Sequence, residues 1–110
     1  MAQTDRQLLE KAAMAAKLQY RWEEGLPHPQ IRADRQMNWD FWNPLSDNED
    51  AMRLLIALRI DLSFEKLHTV ATYTTNDKRF IEYCNDGMGA DIEAATRRAI
   101  VIAAASMAAA

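Results

Sequence analysis

The sequence predicts an α+β domain: an antiparallel sheet of about five strands packed with three helices, in the order α-β-β-α-β-β-β-α. Three observations predict it. Helix-start signals precede runs of apolar residues at helical spacing. Between those runs, apolar and polar residues alternate with the period of two that marks half-buried strands. The later strands are joined by short polar connections, which makes neighbours antiparallel.

The first helix runs from about Asp5 to Leu18, with Thr4 as N-cap and Gln7 completing a capping box. Leu8, Leu9, Ala12, Ala13 and Ala16 form its apolar face. Leu18, Tyr20 and Trp22 then alternate with Gln19, Arg21 and Glu23 as a strand, which Gly25, Pro27 and Pro29 end. A second extended stretch runs from Gln30 to Trp39. Its alternation is weak, because Arg35 shares parity with Ile31, Ala33, Met37 and Trp39.

Asn43-Pro44-Leu45 makes a turn, and Ser46 with Glu49 reads as the capping box of a second helix. Asp47, Glu49 and Asp50 crowd its first turn, where the helix dipole favours negative charge. Ala51, Leu54, Leu55 and Leu58 give its apolar stripe. Three strands follow: Ile60, Leu62 and Phe64 alternating with Asp61, Ser63 and Glu65; then Val70 to Thr74; then Arg79 to Cys84 after the turn at Thr75-Asn76-Asp77-Lys78. The last helix starts near Asp91 and places Ile92, Ala95, Ala99, Ile102 and Ala103 on one side, widened by Ile100 and Val101. No linker or repeat divides the chain, so residues 1–110 form one domain.

The net charge is −3, with the most acidic stretch between Ser46 and Gly87, so nucleic acid is disfavoured as the main ligand. An acidic chain can still hold an anion at a local site. One cysteine, Cys84, permits no intrachain disulfide, and no apolar run is long enough to cross a membrane. The polar N-terminal stretch has no signal-peptide core, and a reducing cytoplasm fits these features.

No catalytic constellation assembles from these residues. His28, His68 and Cys84 lack metal-ligand spacing, and Cys84 reads as a small buried residue of a strand. Asp47-Asn48-Glu49-Asp50 lacks the calcium-loop pattern and is explained by capping. Asn85-Asp86-Gly87-Met88-Gly89 precedes a helix start but has no phosphate-loop lysine. No metal, cofactor or catalytic residue is expected.

The tryptophans draw more interest. Trp39, Phe41 and Trp42 fall within four positions and cannot all face one core, so some are free to stack on a ligand or partner. The blander reading is a small satellite core beneath the loop.

Trp42-Asn43-Pro44-Leu45, with Asp47, Asp50-Ala51 and Arg53-Leu54, resembles a motif of small phage proteins. So does Ala94-Ala95-Thr96-Arg97-Arg98-Ala99-Ile100. Together they look like the phage ABA-sandwich domain family, and the helix followed by an aromatic-bearing strand extends the likeness over nearly the whole chain. The resemblance implies a phage or prophage origin and an α/β sandwich in the host cytoplasm. It carries over no activity. Read physically, the motifs are mainly structural: Pro44 sets the approach to the helix, Thr96 bonds back to its own backbone, and Arg97 and Arg98 point to different sides.

The leading expectation is a non-enzymatic accessory protein that binds and inhibits a host protein, such as a defence component. A second is a protein that sequesters a nucleotide signal, with Trp39 or Trp42 stacking on the base and Arg53, Arg97 or Arg98 holding phosphate. A third is a structural or assembly protein that forms a homo-oligomer.

Overall fold

The computed structural model describes residues 4–26, 28–32, 38–64, 68–73, 78–83 and 92–108. Their architecture is α+β, with three helices and two antiparallel sheets.

Helix α1 spans Asp5–Ala15. The capping box is present: Gln7 N–H donates to Thr4 Oγ1 at 3.1 Å, and Thr4 N–H donates to Gln7 Oε1 at 3.0 Å. The helix stops short of Leu18. Lys17 turns left-handed at φ 60°, letting Leu18 N–H reach the Ala13 carbonyl and Lys17 N–H the Met14 carbonyl. That pair of bonds is the Schellman closure, here made without the usual glycine.

Strands β1 (Gln19–Arg21), β2 (Gln30–Arg32) and β3 (Asp40–Phe41) form the first sheet in that order. The single strand expected from Gln30 to Trp39 is corrected here. Gln30 pairs with Phe41 and Ile31 with Asp40, so the chain reverses instead of running on. Arg35, the misfit in the expected alternation, lies outside the described residues.

Helix α2 spans Asn48–Leu58. Its N-cap is Asp47, one residue later than the expected Ser46, and Asp50 N–H donates to Asp47 Oδ2 at 3.1 Å. The turn before it explains the shift. Ser46 and Asp47 N–H groups both return to the Asn43 carbonyl, at 3.0 and 2.8 Å, and Asn43 Oδ1 accepts from Leu45 N–H at 3.1 Å. Ser46 is thereby part of the turn, and Asp47 is the first residue free to cap. Ala51 and Leu54 are buried, with Leu55 and Leu58 packed beside them.

Strands β4 (Ile60–Phe64), β5 (His68–Tyr73) and β6 (Lys78–Tyr83) form the second sheet, an antiparallel meander. The one sheet expected is thus two, of three strands each. In the first strand of the meander the expected alternation holds over Ile60 to Ser63: Ile60 is buried and Leu62 half-buried, while Asp61 and Ser63 are exposed.

Helix α3 (Ile92–Ala108) is the central element, packing on α1, α2 and all three strands of the second sheet. Ala99, Val101, Ala103 and Ala104 have no exposed surface, and neither do Ala12 and Ala13 of α1. Alanines on both helices let the backbones approach closely, and Leu8, Leu9 and Val101 supply the bulk. Burying each of these larger side chains stabilises the fold by roughly 1.5–3 kcal/mol. Ile92 departs from its expected place: at the first turn it is 52% exposed.

Candidate functional site

The strand register sorts the first sheet into two faces. Gln19 lies opposite Arg32, Arg21 opposite Gln30, and Gln30 opposite Phe41, so these five residues share the outer face. Tyr20, Ile31 and Asp40 take the inner face. The two directly opposed pairs are bonded side chain to side chain: Arg21 Nε donates to Gln30 Oε1 at 2.7 Å, and Arg32 Nε donates to Gln19 Oε1 at 2.5 Å.

Both guanidinium groups then lie over the ring of Trp39, 4.5 and 4.6 Å from its centroid. Each such contact contributes about 0.5–1 kcal/mol at an exposed position. Phe41, opposite Gln30 and two residues along from Trp39, is 62% exposed; the His28 ring meets it edge to face at 5.3 Å between centroids, and it also borders the cleft beneath the sheet. The chain is acidic overall, yet the outward positions of these strands carry two cations and no carboxylate. The nearest recorded counter-charge is Glu23, 3.5 Å from Arg21.

Beneath the sheet, a cleft of about 230 Å³ separates its inner face from α2. Leu18, Ile31 and Leu54 give it apolar walls, and Asp40, Asp50 and Arg53 give it charge. The half-buried Asp50 carboxylate accepts from Asn43 N–H at 2.9 Å. Burial raises its pKa, the nearby Asp47 raises it further, and the Asn43 bond and Arg53 offset part of the rise. A second opening of about 300 Å³ lies between His28, Phe41, Ser46 and Asp47, sharing Phe41, Trp42 and Asp50 with the first. A shallow apolar groove of about 370 Å³ runs between α2 and α3, past Met52, Ile92 and Ile100.

The residues singled out in the sequence do not converge. Trp39 is on the outer sheet face. Trp42 is 5% exposed and belongs to the main core cluster, so the separate satellite core expected beneath the loop is corrected here. Arg53 lies on the exposed side of α2, paired with Glu49, and lines the cleft that also contains Trp42. Arg97 is a latch: Nε donates to the Leu45 carbonyl at 2.9 Å and Nη1 to Asn48 Oδ1 at 2.6 Å. Asn48 passes the connection on to Glu93 at 2.6 Å. Arg98 pairs with Asp5 of α1 at 3.0 Å, so the adjacent arginines do point to different sides. Thr96 Oγ1 donates to the Ile92 carbonyl at 2.8 Å, the back-bond expected of it.

Arg21 and Arg32 are the charged members of the outer face that sequence reasoning passed over. The polar half of the Gln19–Arg21 alternation and its match in Gln30–Arg32 held the signal, which only the register makes readable.

Among the described residues no group of histidine, cysteine or acidic side chains is placed to hold a metal, and no helix is long and apolar enough to cross a membrane. Pro27, residues 75–77 of the turn expected at Thr75 to Lys78, Cys84 and the loop expected at 85–89 lie outside the described residues, while Lys78 begins β6. His68 begins β5. No family model matches the chain, and no curated protein or solved structure matches it.

Proposed function

We propose that this chain is a non-enzymatic binding protein that docks on another protein through the outer face of the β1–β3 sheet. Its partner is a host protein whose action it blocks. The observation that supports the reading is the exposed Phe41 on the face that carries the Arg21–Trp39–Arg32 stack. Tryptophan, arginine and exposed aromatic side chains are the residue types that dominate binding energy at protein interfaces. Here Arg21 and Arg32 are already held by bonds to the opposed glutamines and by the Trp39 ring, so little ordering entropy is lost on docking. The host assignment rests on the resemblance to the phage ABA-sandwich family.

The nucleotide-sequestering reading has less support. It needs a stacking ring and phosphate-holding arginines in one pocket. Trp42 is buried, Arg97 and Arg98 hold helices together, and Trp39 is on a different surface from Arg53.

The test uses the wild-type chain, Phe41→Asp and Arg32→Glu as baits in host lysate, with Ile56→Asp as control. Ile56 is exposed to the same degree but lies on α2. A partner retained by wild type and Ile56→Asp and lost by both face variants supports the reading. A partner retained by all four, or lost only with Ile56→Asp, refutes it.

A further inference from the structure

We infer that the Arg21–Trp39–Arg32 stack is a carboxylate clamp, and that the docked partner presents to it an acidic segment whose neighbouring apolar side chain covers Phe41. The inference rests on the docking reading above and names the chemistry of the partner.

The geometry carries it in three steps. First, the two guanidinium groups are oriented before any ligand arrives. Each gives its Nε–H to the glutamine opposite and lies over the same ring. A guanidinium has five N–H donors in a rigid fork, so terminal donors remain for a carboxylate. Secondly, gathering two cations over one ring costs repulsion, which among the described residues Glu23, 3.5 Å from Arg21, offsets in part. An incoming carboxylate relieves that repulsion, and the ring shields one side of each guanidinium from water, which strengthens the new bonds.

Thirdly, the charge around the clamp selects the ligand. Nucleic-acid backbones present a charge at every step and need a stripe of cations. Among the described residues this face offers two, on a chain of net charge −3, with Asp40 on the opposite side of the same sheet. That arrangement suits one or two carboxylates. Elsewhere the acidic surface repels an acidic partner, so a single productive register remains. Phe41, 62% exposed on the same face, supplies the apolar contact.

The test is fluorescence polarisation with a short labelled peptide of alternating glutamate and phenylalanine, its lysine-for-glutamate counterpart, and oligothymidylate. The acidic peptide binds wild type, and its affinity falls with added salt. Arg32→Glu and Trp39→Leu each weaken it by about tenfold or more. Arg32→Lys preserves the charge and the sheet, yet weakens it by roughly threefold, because an ammonium neither forks nor stacks as a guanidinium does. Ile56→Asp leaves it unchanged. Equal binding to wild type and Arg32→Glu overturns the clamp, as does binding of oligothymidylate in place of the peptide, or no binding of either. If the peptide fails while Phe41→Asp still abolishes capture of a host partner, the clamp falls and the docking reading stands. If both fail, both fall.

Discussion

Replacing Arg97 with alanine unfastens α3 from the start of α2. At least two hydrogen bonds are lost, one to the part-buried Leu45 carbonyl at 2.9 Å and another to the exposed Asn48 at 2.6 Å. A charged bond to a partly buried acceptor contributes about 1.5–3 kcal/mol, because its loss leaves the carbonyl unpaired. The exposed bond adds roughly 0.5 kcal/mol, since water replaces it readily. The expected loss from these two bonds is therefore about 2–3.5 kcal/mol, or a drop in Tm of roughly 8–14 °C for a domain of this size. Urea denaturation followed by circular dichroism measures it. A double-mutant cycle with Asn48→Ala isolates a coupling of about 0.5 kcal/mol or more between the two side chains. A loss below about 0.5 kcal/mol would refute the latch and return Arg97 to the list of ligand-binding residues.

Three further outcomes are expected. Trp42→Ala destabilises the chain by about 3–5 kcal/mol, whereas Phe41→Ala changes stability by less than about 0.5 kcal/mol and abolishes partner binding; chemical denaturation of the two variants side by side checks the contrast. The folded chain holds the Asp50 proton more tightly than the unfolded chain does, so this residue's contribution to stability is full below pH 3.8, its ordinary value, and is lost as pH rises through the raised value. Asp50→Asn removes that loss while keeping an acceptor for Asn43 N–H, so its Tm gains on wild type as pH rises; parallel Tm profiles across acid and neutral pH would contradict the assignment. Lys17→Gly relieves the left-handed φ of 60° and raises stability by up to about 1 kcal/mol, read as a shift in the urea midpoint.

The helices were readable because their signals are local. Thr4 and Gln7 meet three residues apart, and the acidic start of α2 differs from expectation only by the one-residue shift to Asp47. That shift depends on Asn43, whose carbonyl and side chain both organise the turn, and a residue accepting three backbone N–H bonds leaves no periodic trace. The division into two sheets was unreadable for a related reason. Which strands pair is a non-local property, and a two-residue strand such as β3 is too short to alternate.

The candidate site divides along the same line. That Trp39, Phe41 and Trp42 could not share one core followed from their spacing, and Trp42 and Phe41 do take opposite environments. The partners of Trp39 did not follow, because Arg21 and Arg32 are eighteen and seven residues away and meet its ring only through the register. The segments around Pro44 and Arg97 meet at the Leu45 carbonyl, which accepts from Arg97 Nε.

Site-specific photo-cross-linking in host cells tests the docking face most directly, with a benzophenone side chain placed at Phe41 in one variant and at Ile56 in another. The two positions are 62% and 64% exposed, so accessibility alone predicts equal yields. The account predicts one discrete adduct with a host protein from position 41 and none from position 56. An adduct from position 56 alone, equal adducts from both, or a product at position 41 joining only two copies of this chain would contradict it.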